Sequence, residues 1–367
     1  HMLPLLAEVQ HFIEDLDGYH VCYLNHFPPI EGWGAATPEA LVHVVYEGRA
    51  GIDLRLAAQQ LATHLEWLAE RGEARPLPAG SGGGTRWELT PPRAASGEAS
   101  LARAAGPYSM RTPHTGSMSY DSTVQKIPHA SVTSEDAMMM RRMINRGDKV
   151  RVTLKMSAKM LPDAQSHNVM GELRGREKPE EIVVMGGHID SWDVGQGAMD
   201  DAGGVVIAWE AIRLLKKLGL TPRRTIRAVG WTNEENGMRG GNAYRDVHQN
   251  EVHQLAIESD GGVFSPLGFG FTGSPAARAI ITSIGTLLNP INAGKIEASG
   301  GGADIGPIMA TGVPGMGLNV DGTRYFWFHH TDADTPDKLD RAEVQRCVAA
   351  MAVMAYIAAD IEQGLPR

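Results

Sequence analysis

The sequence predicts an α/β fold, a mostly parallel sheet sandwiched by helices, preceded by a small α+β module. Three observations carry this. From about residue 166 onward, short apolar runs alternate with segments of helical periodicity, the pattern of a sheet built from βα units. Several of those runs end in glycines followed by acidic residues or histidine. The chain of 367 residues, 43% of them apolar, is long enough for two or three domains with a substantial core.

Residues 1–97 read as a separate module. Leu54, Ala58, Leu61, Leu65 and Leu68 recur at helical spacing, with Gly72 where the helix stops. Two apolar runs, Pro76-Leu77 and Trp87-Glu88-Leu89, flank the glycine-rich stretch 80–84 and predict a hairpin. Helices followed by a small hairpin make a winged-helix-like module. Its six Arg and no Lys stand against twelve Asp and Glu, a net −6. A surface that reads DNA needs the opposite sign, so a structural or protein-contact role is expected. Pro91 to Gly97 reads as a linker. Beyond it, Met138-Met139-Met140 is expected to fill core on a helix, and Lys149–Leu154 alternates polar and apolar residues.

The elements of 158–367 follow in order. Glu181–Met185 and Thr225–Trp231 are strands, and Gln254–Glu258 is a short third. Gly204 to Leu218 is a helix with Val205, Ala208, Ile212 and Leu215 on one face, and Ala342 to Ile361 is a long terminal helix. In such sheets, sites form at the carboxyl ends of strands.

Composition excludes several classes. A net charge of −9 argues against nucleic acid or an anionic membrane as the main partner. Cys22 and Cys347 cannot make a disulfide framework or a thiolate zinc site. No stretch is expected to approach the roughly 20 apolar residues that span a bilayer. His1-Met2 resembles a vector scar, and no basic-then-apolar leader follows it.

Chemistry concentrates where the strands end. The first strand runs into Gly186-Gly187-His188-Ile189-Asp190, and Asp200-Asp201 opens the next helix. The second runs into Asn233-Glu234-Glu235, the third into Ser259-Asp260, and His329-His330-Thr331 stands near the end. Imidazoles and carboxylates without thiolates suit zinc, or manganese or cobalt, in a hydrolytic site. Two divalent ions about 3.5–4 Å apart need a shared carboxylate and terminal ligands on each. Adjacent glutamates diverge, so one can bind metal while the other acts as general base. Asp190, two residues after His188 on an extended chain, is expected to accept the other ring N–H with its carboxylate.

The stretches GGHIDSWDVGQGAMDDAGG, WTNEENGMRGG, ESDGG and FWFHHTDADT, with PHTG, KIP and TSEDAMMMRRM upstream, resemble the co-catalytic zinc exopeptidases of the aminopeptidase and glutamate-carboxypeptidase type. The resemblance runs from about residue 100 to 365. It implies His188 and Asp260 on one zinc, Glu235 and His330 on the other, Asp200 between them, Glu234 as general base and Asp190 as orienter. His330 is preferred to His329 because the family's ligand directly precedes the Thr or Ser. Asp304 and Tyr325 are candidate substrate residues: Asp304 holds a free α-amino group or caps a helix, and Tyr325 lines the pocket or meets the oxyanion.

The implied reaction is hydrolysis of dipeptides or of terminal bonds in short peptides. The resemblance also implies an exported protein and is compatible with a homodimer. The chain departs from the family in two ways. Residues 1–97 do not match the relatives' N-terminal stretch, and 98–157 looks like a shortened protease-associated insert ahead of the peptidase domain at 158–367. A binding or regulatory protein on the same fold is the competing reading, disfavoured by the complete set of ligand positions.

Overall fold

The computed structural model describes residues 161–367 throughout, most of 129–157, positions 106, 110–117 and 123, and the strand backbones at 74–77, 86–89 and 100–103. Contacts divide the chain into a unit Tyr23–Glu98 and a unit that contains Ala99–Arg367. In the first, Ala74–Leu77 (β1) pairs antiparallel with Arg86–Leu89 (β2). The helix expected around 54–68 and the linker at 91–97 lie outside the described residues.

In the second unit, Ser100–Arg103 (β3) pairs parallel with His129–Ser131 (β4). Helix α1 (Ser134–Asn145) starts where the Thr133 hydroxyl accepts the Asp136 N–H, with Glu135 and Asp136 in its first turn. Both features favour a helix N-terminus. None of its residues is buried and Met139 is 46% exposed. The methionine run therefore does not fill core, because this helix packs into neither apolar cluster of the sheet. Residues 149–154 follow as irregular backbone rather than a strand.

The main sheet comprises Val169–Leu173 (β5), Lys178–His188 (β6), Arg224–Trp231 (β7), Val252–Glu258 (β8), Pro266–Thr272 (β9), Lys295–Glu297 (β10) and Gly315–Val320 (β11). Its order is β10-β9-β11-β8-β6-β7-β5. The central β7, β6, β8 and β11 run parallel, while β5 and β9 are antiparallel to their inner neighbours. The expected mostly parallel sheet is thus present, with antiparallel pairing toward both edges.

Alternation along β6 divides the core. Val183 and Met185 join the cluster that includes Ile207 and Ala211 of α2 (Gly203–Lys217), Ile281 of α4 (Pro275–Gly285) and Met351 of α6 (Arg341–Asp360). Ile182 and Val184 face the other way, with Tyr244 of α3 (Arg239–Val247) and Ile308 of α5 (Gly306–Met309). Helices cover both faces, and the carboxyl ends of β6, β7 and β8 share one edge.

Helix α6 corrects one expectation. By length and composition alone it could cross a membrane. Its apolar length has a different cause: alanines and methionines along it are buried among α2, α4 and the sheet, as in a core helix of a globular protein.

Arg224 anchors the end of α6 to the sheet. It is fully buried and pairs with Glu181. It also donates to the carbonyls of Ile361 and Glu362. Removing one partner of a buried pair strands the other. Arg224→Met is expected to cost about 3 kcal/mol, at the low end of the usual range because Glu181 keeps solvent contact. Urea denaturation checks this, and an unchanged midpoint would remove Arg224 as the anchor.

Candidate metal centre

β6 delivers His188 at its last position, and β7 and β8 end just before Glu234-Glu235 and Asp260. Asp200 and Asp201 lie in a short π-type turn, Ala198–Ala202, that leads into α2. The peptide between them is cis, and their carboxylates do different things. Asp201 turns inward: one oxygen accepts the His188 backbone N–H at 3.2 Å and the other accepts Gly204 N–H at 3.1 Å, capping α2. Space for it depends on two glycines. A Cβ at Gly187 would lie 1.9 Å from Asp201 Oδ2, and one at Gly204 would lie 2.0 Å from the Ser259 carbonyl.

Asp200 turns toward the histidines. Its Oδ1 lies 3.2 Å from His188 Nε2, and its Oδ2 lies 3.2 Å from His330 Nε2. Each imidazole has a second carboxylate beside the same nitrogen. Asp260 Oδ1 is 3.5 Å from His188 Nε2, and Glu235 Oε2 is 3.0 Å from His330 Nε2. The five residues His188, Asp200, Glu235, Asp260 and His330 therefore converge. His329 Nε2 lies 3.6 Å from Asp200 Oδ2, with its ring stacked 3.6 Å from that of His330.

The donor set fits divalent cations. Glu235 Oε1, Asp260 Oδ1 and Asp200 Oδ2 are buried without a hydrogen-bond partner of good geometry. Buried carboxylate oxygens in that state call for a cation. Burial opposes a charge on His188, yet the surrounding Asp200 and Asp260 outweigh it and hold its pKa well above the ordinary value. Burial likewise opposes charge on His330, which Asp200 and Glu235 nevertheless push up to about 9. Asp201 is also within ligand distance of His188 and Asp260, but its oxygens already accept two backbone N–H groups.

Asp190 departs from expectation. The atom that meets His188 Nδ1 is its backbone carbonyl, at 2.7 Å, whereas its carboxylate stays 3.9 Å away. The chain has left the strand after His188, so alternation no longer governs where the side chain points. The carboxylate instead accepts the backbone N–H groups of Glu234 at 3.0 Å and Glu235 at 3.3 Å, fixing the loop that carries both glutamates. Burial, reinforced by Asp260, Glu235 and Asp200 and opposed by His188, pushes the Glu234 carboxyl up to about 7.

The two substrate candidates are placed less openly. Asp304 is 2% exposed and neither carboxylate oxygen has a hydrogen-bond partner. It presents almost no surface to a substrate terminus, and α5 begins without a side-chain cap, so the capping role is absent. Burial, then Glu258, pushes its pKa up to about 9. Tyr325 sits in a 3-10 turn, Gly322–Trp327, with its ring 4.9 Å from that of His329.

Two contributors escaped the sequence reading. Trp192 donates its indole N–H to Glu235 Oε2 at 2.6 Å, and Asp334 accepts the N–H groups of Met199 at 2.6 Å and Asp200 at 3.1 Å. Both lie inside motifs already singled out, DSWD and HTDAD. A tryptophan between ligand positions and a second acid after the histidine were the available signals.

A helix-covered α/β sheet with carboxylates and imidazoles gathered at its strand ends is a zinc-exopeptidase-like architecture. Residues 168–355 match the model of Peptidase family M28, and the chain belongs to that family. Carboxypeptidase Q of Xenopus laevis is 48% identical over 271 residues, covering 73% of this chain and 58% of the relative. Carboxypeptidase Q of Homo sapiens is 46% identical over the same length, covering 57% of the relative. The chain thus spans less than two thirds of these relatives. The solved structure of a Peptidase M28 precursor from Shewanella amazonensis SB2B superposes with a TM-score of 0.69 at 34% identity, covering 72% of this chain and 61% of that one.

Proposed function

We propose that this chain is a metal-dependent exopeptidase that hydrolyses dipeptides or terminal bonds of short peptides at a dinuclear zinc centre. His188 and Asp260 would hold one ion and Glu235 and His330 the other, with Asp200 available to both. The observation that carries this reading is the position of Asp200, one oxygen 3.2 Å from each of two imidazoles that have separate second carboxylates. When bound, such ions polarise a scissile carbonyl and acidify a water. Glu234 would be the general base that accepts a proton from water and returns it to the leaving amine, and its half-buried carboxyl lies beside the proposed ligand Glu235. Asp190 holds the Glu234-Glu235 loop through two backbone N–H groups. Trp192 occupies one oxygen of Glu235 and leaves Oε1 for an ion.

Hydrolysis of a dipeptide panel before and after chelation tests the reading. Cleavage is expected, with loss on chelation and recovery on adding zinc. Zinc uptake without cleavage of any dipeptide or aminoacyl reporter would favour a binding protein on the same fold. Export from the cytoplasm, which the motif resemblance implies, and homodimerisation are part of the same proposal.

A further inference from the structure

His330 owes its orientation to a segment far upstream. Its Nδ1 lies 2.8 Å from the backbone carbonyl of Thr115, and Thr115 N–H donates to the His330 carbonyl at 3.1 Å. These residues are 215 positions apart, and Thr115 lies outside the stretch matched by the family model. A carbonyl only accepts, so Nδ1 carries a proton, and Nε2 is the ring atom left to meet a cation between Asp200 and Glu235. His188 meets the same need locally, from the carbonyl of Asp190. His330 has no such neighbour, and its φ of 56° is a conformation that non-glycine residues seldom adopt. Two bonds from Thr115 hold both its ring and its backbone.

The segment that supplies those bonds is itself fixed. His114 is 1% exposed, and its ring lies 6.0 Å from those of His329 and Phe326. Gly106, at φ +100°, is packed so closely that a Cβ there would come within 2.5 Å of His114 Nε2. Its carbonyl accepts the Ser134 hydroxyl at 3.2 Å, tying it to the start of α1.

We propose that the strap Pro113–Gly116 is a built-in part of the metal centre, with the Thr115 carbonyl as the positioning group that sets the tautomer and aim of His330. The inference rests on the reading of His330 as a ligand of the second ion. Partners of this outer kind are worth about 10–100-fold in metal affinity.

A substitution cannot delete a carbonyl, so the test displaces it. Thr115→Pro removes the N–H bonded to His330, and Gly106→Ala drives a methyl against His114. Thr115→Val keeps both backbone groups. Zinc affinity of the full chain, read by competition with a chromophoric chelator, is the measurement, with circular dichroism as the check on folding. Wild type and Thr115→Val are expected to bind two ions. Thr115→Pro and Gly106→Ala are expected to hold one ion as in wild type and the other about 10–100-fold more weakly. Two wild-type affinities in both displaced variants would overturn the strap's role, as would equal weakening at both sites. A wild-type chain that binds fewer than two ions would overturn the underlying reading of His330 and the strap with it.

Discussion

Glu234→Gln is expected to lower kcat by about 10²–10⁴-fold, the usual contribution of a positioned general base, while zinc content stays at the wild-type level. The separation follows from how the loop is held. Asp190 grips Glu234 and Glu235 through backbone N–H groups, which the substitution leaves in place. Glutamine is nearly isosteric, and the proposed ligands do not include Glu234. What it lacks is a carboxylate able to take a proton from water and release it. Its pKa near 7 depends first on burial and then on Asp260, Glu235 and Asp200. Steady-state kinetics with metal analysis of the same sample checks this. A variant within tenfold of wild-type kcat would remove Glu234 from the chemistry, and parallel loss of zinc would make it a ligand.

Asp200→Asn should act on binding first. Its two oxygens face His188 and His330, so its loss weakens both ion sites together, whereas loss of Asp260 or Glu235 should weaken one. Loss of an outer partner alone costs about 10–100-fold in affinity, and a shared ligand should cost more than that. The loop should survive, because Asp334 holds the Asp200 backbone N–H and not its side chain. Zinc affinity reduced by more than about 100-fold, with unchanged circular dichroism, is the expected result. Two tightly held ions in the variant would remove Asp200 as the shared ligand.

The central strands were legible because β6, β7 and β8 are apolar runs buried on both faces, each ending in the polar residues that form the site. The strands β9, β10 and β11 were not. In β9 and β11, PLGFGFT and GMGLNV, glycines interrupt the apolar runs because tertiary contact requires them, and β10, KIE, is only three residues long. A Cβ at Gly270 would lie 2.3 Å from the carbonyl of Ser299, so the neighbouring backbone occupies the space a side chain would fill.

At the site, His188, Glu235 and Asp260 follow strands whose ends are readable, whereas His330 follows β11, which is not, and was found through its motif alone. The bonds that aim them were harder. Asp190 was assigned to the imidazole through its carboxylate, on the premise of an extended chain, but the backbone turns there and the carbonyl makes the contact. The glycine excess also acquires a local meaning, because Gly187 and Gly204 leave the room that Asp201 fills. No spacing rule connects Thr115 to His330. That pairing is set by the fold alone.

Zinc titration into the metal-free chain, with dipeptide hydrolysis followed at each addition, tests the central claim most directly. Two equivalents should bind, and hydrolysis should reach its plateau with the second, because the proposal assigns His330 and Glu235 to a different ion from His188 and Asp260. Saturation at a single equivalent with full activity would contradict a dinuclear centre built around Asp200.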